Sequence, residues 1–347
     1  MRKPTVWNAF ATIIATMVGV GFISGKEIYT FFQAYGVSGY VGIFIVFILF
    51  FVLCQQFLTL KERLQIKDVT QFHRYLFQGN MQKVFQGFVF TSHMCIVCSM
   101  LAGLFWVIQH ITGGVGVVWF ILAIEILLGY IMYQGVSCSY KVIACIAPFL
   151  LCMFVLVTSL SMRQGLYNVS LQSVSPVMCV YAIIAGFLYA GMNLQTTSSV
   201  IMYVGSRFTA KRNWKVSLFV STCLFIFLCM GTVALWGIPT EMQTSAMPFY
   251  ELAQSRGVLF TIFYLIALFL GIVTTLISSA QTATDILTVS CKHNKGLAVC
   301  LVLGGSTLFA SLGFQKVISF LYPFMGVLGL LYILMVCMAV KKYISHM

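Results

Sequence analysis

The stretch Val18-Gly19-Val20-Gly21-Phe22-Ile23-Ser24-Gly25-Lys26-Glu27 decides the fold. It lies inside the first long apolar run, Val6–Tyr35. Gly19, Gly21 and Gly25 fall close together, Ser24 stands among them, and two charges follow. That is poor material for one continuous membrane helix. Glycine tolerates backbone angles that other residues avoid and lets a ligand approach the peptide closely. A break here exposes N–H groups at one new helix end and C=O groups at the other. The N–H end suits a carboxylate, and the C=O end suits a cation or an ammonium group. A zwitterion could then be held without a charged side chain, which suits a membrane interior where ionised residues are costly.

The composition around this stretch agrees. Hydrophobic residues make up 61% of the 347-residue chain, and Asp, Glu, Lys and Arg make up 8%. Soluble domains average about 45–50% and about 25%. An ordinary soluble enzyme, a disordered chain and a coiled coil are thereby excluded. Backbone in lipid must be helix or closed barrel. A barrel would show short alternating segments, and this chain shows continuous apolar runs. The fold class is therefore all-α, polytopic membrane. The net charge of +13 would suggest a nucleic-acid surface in a soluble protein. Here the basic residues stand between apolar runs, so the positive-inside rule accounts for them and no nucleic-acid partner is expected. The 12 cysteines are scattered and read as small buried hydrophobes. Cys95 and Cys98 form a CxxC with no second pair or redox context. No GxxxxGK[ST] and no HExxH occurs, so no ATP site, no organic cofactor and no enzymatic activity are expected. Met1-Arg2-Lys3 is followed by no cleavage-site pattern, so the first run reads as a retained span.

Division at charges, Pro and Gly predicts ten transmembrane helices. They are Val6–Tyr35, Gly36–Leu60, two from Val84–Ile124 split at Thr112-Gly113-Gly114, Val142–Ser161, Pro176–Gly205, Trp214–Gly237, Gly257–Val289, Leu297–Gly313 and Val317–Val340. Gln164–Ser175 reads as a polar loop. With the N-terminus in the cytoplasm, 16 of the 20 lysines and arginines fall inside and only Lys26, Arg163, Arg256 and Lys316 outside. That bias supports both the count and a cell-membrane protein with both termini cytoplasmic. Five spans per half make two inverted repeats, 1–162 and 163–347.

The sixth span carries a second interruption signal, Gly186-Phe187-Leu188-Tyr189-Ala190-Gly191-Met192-Asn193-Leu194-Gln195-Thr196-Thr197. Two readings stand for each glycine-rich stretch: close helix packing, or a broken helix at a binding site. Gly21 and Gly191 hold matching places in the two halves, and paired interruptions point to a transporter site. The expected solute-binding residues are Gly19, Gly21, Phe22, Ser24 and Gly25 in the first span, with Tyr189, Gly191 and Asn193 in the sixth. In the eighth span Gly271, Thr274, Thr275, Ser278, Thr282 and Asp285 fall on one helix face. Isolated Ser and Thr bond back to their own helix, but a stripe this dense reads as a polar path. Hydroxyl and carbonyl oxygens are hard ligands. A sodium site is therefore expected from Gly271, Thr274, Thr275 and Ser278 with the broken backbone of the first span. Asp285 lies about 16 Å beyond Thr274, too far to be a ligand.

Val18–Ile28 resembles the GAGFASGQEI signature of YkvI-type bacterial membrane proteins. These resemble the amino acid–polyamine–organocation transporters with the leucine-transporter fold. Met247-Pro248-Phe249-Tyr250-Glu251-Leu252-Ala253 is similar to that family's outer loop, and Thr274-Thr275 with Ser278-Ser279 to its eighth-helix motif. The threonine pair also resembles the hydroxyl pair that binds sodium in coupled relatives. Lys26 departs from the pattern, standing where a neutral Gln is usual, next to Glu27.

Three further groups are gating or proton candidates: Glu27 as an outer gate, His93 in the third span, and Glu125 in the fourth. Resemblance puts the fourth span at the bundle's periphery, which counts against Glu125. Lys141 reads as an interfacial anchor. The expected function is a secondary transporter working by alternating access on a small zwitterionic or amine-containing solute, with sodium as coupling ion. Two alternatives stand beside it. One is a proton-coupled carrier; the other is a non-transporting ligand sensor, since spore-germinant receptor subunits resemble this fold.

Overall fold

The computed structural model describes residues 6–66, 69–170, 173–204, 210–291, 294–310 and 314–345. Among them the regular structure is helical throughout. The first apolar run is not one rod. It divides into α1 (Val6–Met17), α2 (Val20–Ile23) and α3 (Lys26–Phe31), and a 3-10 turn (Gln33–Ser38) leads into α4 (Gly39–Leu64). α5 (Val69–Leu76) is a short connecting helix. α6 (Asn80–Thr112), α7 (Val117–Tyr133), α8 (Val136–Ser170), α9 (Pro176–Val204) and α10 (Ala210–Trp236) follow. Two short helices, α11 (Thr240–Thr244) and α12 (Pro248–Gln254), precede α13 (Val258–Cys291), α14 (Lys295–Ala310) and α15 (Phe314–Ser345).

Among the described residues, six helical stretches are long and apolar enough to cross a membrane: Gln33–Leu64, Asn80–Thr112, Val136–Val169, Pro176–Tyr203, Asn213–Trp236 and Val258–Val289. Three shorter apolar helices accompany them, Val117–Tyr133, Lys295–Leu308 and Phe324–Met338. The long charge-free run splits where expected. Gly113, Gly114 and Gly116 all have positive φ and turn the chain between α6 and α7.

The broken first segment sits at the centre. α1 packs on α8, α9, α10 and α13, and Ile13, Ala15, Phe22 and Phe32 are fully buried. Around it the largest contacts pair α4 with α9, α6 with α13, α4 with α10, α8 with α10 and α9 with α15. α7 is peripheral, with Trp119 76% and Ile126 73% exposed. In a bilayer that face meets lipid.

Three expectations need correction. First, the expected span Pro176–Gly205 does not break near Gly191: α9 is one helix from Pro176 to Val204. Its polar residues bond back to their own turns: Asn193 Nδ2 to Tyr189 O (3.2 Å), Thr196 Oγ1 to Met192 O (2.8 Å) and Thr197 Oγ1 to Asn193 O (2.7 Å). Its glycines serve close packing. A Cβ on Gly186 would lie 2.6 Å from Gly42 O of α4, and one on Gly191 would run into the backbone of Gly329 on α15. Second, Gln164–Ser170 is the last part of α8 rather than a loop. Asn168 Nδ2 donates to Trp236 O at 2.6 Å and Ser161 Oγ to Ala234 O at 2.8 Å, which ties this extension to α10. The 162/163 division therefore falls inside a helix. Third, the stretch between the expected spans Trp214–Gly237 and Gly257–Val289 is not a plain connection but contains α11 and α12. Of the basic residues counted for orientation, Arg2, Lys3, Lys67, Arg207 and Lys292 lie outside the described residues, as do Gly205 and Gly313 at the ends of two expected spans.

Candidate functional site

α1 ends because Val18 and Gly19 leave the helical path, and α2 restarts at Val20. The last carbonyls of a helix have no partner within it. Here two of them find partners across the bundle. Thr274 Oγ1 donates to Ala15 O at 3.1 Å, and Thr275 Oγ1 donates to Thr16 O at 3.2 Å. Thr274 Oγ1 also lies 2.9 Å from Gly271 O, and Ser278 Oγ donates to Thr275 O at 3.1 Å. A Cβ on Gly271 would run into Ile23 Cδ1 at 2.4 Å and sit 3.3 Å from Val18 O, and one on Gly19 would sit 2.7 Å from Thr275 Oγ1. The two glycines therefore make room for the side chains that join the broken segment and α13. The expected grouping of Gly271, Thr274 and Thr275 with the broken first span is what the tertiary structure assembles. Thr274 and Ser278 are fully buried and Thr275 is 5% exposed.

The chemistry of this cluster is uniform. Ala15 O, Thr16 O, Gly271 O, Thr274 Oγ1 and Thr275 Oγ1 are all neutral oxygens. Such donors suit a small alkali cation and offer nothing to a soft metal. The hydroxyl protons now bond to carbonyls, so an arriving cation would have to displace those bonds and take the lone pairs of the same oxygens.

Beyond the break, α2 is held at its far end. Tyr264 is buried, and its hydroxyl donates to Ile23 O at 2.8 Å. Sequence reasoning missed Tyr264. It stands seven residues before Gly271, so the α13 stripe carried one period further would have reached it. Ser24 Oγ donates to Gly21 O at 3.1 Å, and Ser24 O accepts from Phe249 N at 3.0 Å. Gly25 has φ +83, and a Cβ there would press on the Phe249 ring at 3.0 Å. Phe22 is fully buried and its ring lies 4.9 Å from that of Phe154. Tyr189, also fully buried, meets Phe31 and Phe32 at 5.4 and 5.0 Å. Gly191 and Asn193 are buried in the unbroken α9.

Lys26 makes a contact the sequence did not foretell. Its Nζ donates to Thr244 O at 2.9 Å and to Ser245 O at 2.8 Å, the carbonyls that end α11. Gln33 Nε2 donates to Gln243 Oε1 at 2.7 Å. With the Phe249 N–H these bonds fasten the α11–α12 segment to α3 and the residues on either side of it, Ser24 and Gln33. At the other end of α13, Ser139 Oγ donates to Gln281 Oε1 at 3.0 Å and Gln281 Nε2 to Asp285 Oδ1 at 2.8 Å. Hydrogen bonds to a charged group contribute about 1.5–3 kcal/mol, less where solvent reaches them. In Lys26→Met, amide exchange across 240–254 should therefore quicken about tenfold, most at Phe249, as read by hydrogen–deuterium exchange. Unchanged protection there would show that the lysine does not fasten this segment.

The three gating or proton candidates fall in three places. Glu27 is 7% exposed in the first turn of α3. Glu125 is not part of this cluster: it lies on peripheral α7 and is hydrogen-bonded to Thr307 of α14. His93 is fully buried on α6, within electrostatic reach of His73 on the connecting helix α5. Burial first, and His93 second, push the His73 pKa down to about 3, so His73 is neutral at physiological pH.

No family profile matches the chain. It is 20% identical over 324 residues to the uncharacterised membrane protein YkvI of Bacillus subtilis (strain 168), covering 92% of each chain. Among solved structures it is similar to a Na+-coupled sialic acid symporter in a substrate-bound outward-open state, with a TM-score of 0.63, 15% identity, and 93% and 77% of the two chains covered. It is similar to Mhp1, a nucleobase-cation-symport-1 family transporter, with a TM-score of 0.61, 15% identity, and 93% and 74% covered. It is also similar to MhsT in complex with L-phenylalanine, with a TM-score of 0.64, 16% identity, and 92% and 87% covered. The chain thus has the leucine-transporter fold and resembles carriers, not enzymes, in architecture.

Proposed function

We propose that the chain is a secondary active transporter that moves a small zwitterionic or amine-containing solute by alternating access, coupled to sodium. The observation that carries this reading is the meeting of Ala15 O and Thr16 O with the Thr274 and Thr275 hydroxyls at 3.1 and 3.2 Å. A helix end left open inside a bundle costs free energy unless something recovers it. The threonine hydroxyls recover that cost here, and an ion bound among the same oxygens would take over from them and lock α1 to α13.

On this reading the broken segment, the six long helices and the three shorter ones make ten crossings. They form two inverted five-span halves joined beyond α8, with both termini on the cytoplasmic side of the cell membrane. The peptide groups of Gly19, Gly21, Ser24 and Gly25, with the Phe22 ring, would hold the solute. From α9, Tyr189 would cover it and Asn193 would lie deeper. Gly191 is filled by α15, so its part in solute binding is the weakest of the eight. The α11–α12 segment, fastened by Lys26, would act as the outer cover. The Ser139–Gln281–Asp285 chain would close the inner side. The solved neighbours hold sialic acid, a hydantoin and phenylalanine, small organic solutes of the size this site would take.

The test is uptake into proteoliposomes with a panel of amino acids and amines, under sodium and proton gradients imposed separately. The proposal expects accumulation driven by inward sodium with no pH gradient. Accumulation under a pH gradient alone would make it a proton-coupled carrier. Saturable ligand binding with no flux under either gradient would make it a sensor on the same fold.

A further inference from the structure

The membrane-facing cleft between α7 and α14 takes no part in the site above. Its volume is about 450 Å³. Its floor is apolar and closed, with Val299 6% and Leu303 4% exposed. Ile126 and Tyr130, 73% and 61% exposed, wall it on α7. On α14 the lining residues Gly296, Cys300 and Gly304 repeat every fourth position on one face. A Cβ on Gly304 would meet nothing within 4 Å. The depth of the cleft on that side is therefore made by missing side chains. One end stops at Glu125, 9% exposed and hydrogen-bonded to Thr307. The other end opens at Tyr133, where Lys295 Nζ donates to Tyr133 O at 3.0 Å and stands 5.9 Å from the Tyr133 ring.

The dimensions and charges choose the occupant. Glu125 to Tyr133 is eight residues, a rise of about 12 Å. A helix about 10 Å across would occupy roughly 900 Å³ over that length, twice what the cleft holds. Water gains little against aliphatic walls. An extended hydrocarbon chain fits and exposes nothing polar to lipid. At the open end, Tyr130 and Tyr133 form the amphipathic aromatic pair that settles at headgroup level. Lys295 beside them attracts negative headgroups and not zwitterionic ones. We infer that this cleft is a binding site for one acyl chain of an anionic phospholipid, with its phosphate at Lys295 Nζ and its chain running over Gly304 toward Glu125. The inference does not depend on the transport reading, because it concerns the outer wall of the bundle.

Native mass spectrometry of the full chain, released from nanodiscs of equal phosphatidylglycerol and phosphatidylcholine, tests it. The wild type should retain phosphatidylglycerol in preference. Lys295→Gln should cut that preference about fivefold, the worth of one basic group at an anionic surface. Gly304→Leu should abolish retention of either lipid by filling the cleft, with an unchanged melting temperature as the folding control. Equal retention of both lipids by the wild type would overturn the proposal. So would undiminished phosphatidylglycerol in a folded Gly304→Leu protein, or a dimer that Gly304→Leu dissociates without loss of lipid.

Discussion

Thr274→Ala and Thr275→Ala are each expected to raise the sodium concentration for half-maximal uptake at least tenfold, and the double variant to abolish sodium stimulation. Each removes one of the five oxygens gathered at the break, while the three carbonyls stay in place. An oxygen bonded to a charge contributes about 1.5–3 kcal/mol, which is tenfold to hundredfold in affinity. Thr274→Ser keeps the hydroxyl and should shift affinity little. Gly19→Ala approaches the same cluster from the other side, since the new methyl would stand 2.7 Å from Thr275 Oγ1. Either the hydroxyl turns away from Thr16 O or α1 and α13 separate. In Gly19→Ala/Thr275→Ala the nearest remaining contact would be the Thr275 Cβ position at 3.3 Å. That double variant should fold better than Gly19→Ala yet still fail to respond to sodium. A direct reading is the sodium-dependent rise in melting temperature, since a ligand bound only to the native state stabilises it by mass action. The wild type should show that rise and the threonine variants should lose it. A full sodium response in Thr274→Ala/Thr275→Ala would remove the cation site.

Gly191→Ala should be among the most damaging single-methyl changes at the described glycines. The added carbon would fall on the backbone of Gly329, and a carbon on Gly329 would fall on the Gly191–Met192 peptide. Backbone atoms cannot rotate aside as a side chain can, so α9 and α15 would have to part. Overpacking a well-filled core costs about 1–3 kcal/mol when side chains give way. Here the cost should exceed that range and appear as low folded yield and a melting temperature depressed by several degrees. Gly87→Ala is the control. Nothing lies within 4 Å of a Cβ there, and alanine is the better helix former by about 1 kcal/mol. If Gly191→Ala melted like the wild type, the close packing of these helices would not be what Gly191 supplies.

These two positions mark how far the sequence could be read. At Gly19 and Gly25 a glycine-rich stretch divided the first segment, and at Gly186 and Gly191 a similar stretch did not. Both have glycines among small polar residues, and both stand early in a run of five apolar segments. Side chains around Gly191 find carbonyls in their own helix, as Asn193, Thr196 and Thr197 do. At the first break it is the carbonyls that look outside their own helix: Ala15 O and Thr16 O are answered from α13. Periodicity reports which residues share a helix face, but it is silent on which other face lies opposite. For the same reason Lys26, read beside its neighbour Glu27, turned instead to carbonyls more than two hundred residues away.

By itself the sequence determined that this chain is a helical membrane bundle, roughly where its apolar segments run, and that one face of the eighth is lined with hydroxyls. Those properties follow from composition and from spacing along one helix, which are local. Which glycines break a helix and which clamp two together was decided only by tertiary structure. The outcome depends on whether a freed carbonyl meets a donor or a glycine meets another backbone, and both are facts about the neighbouring helix.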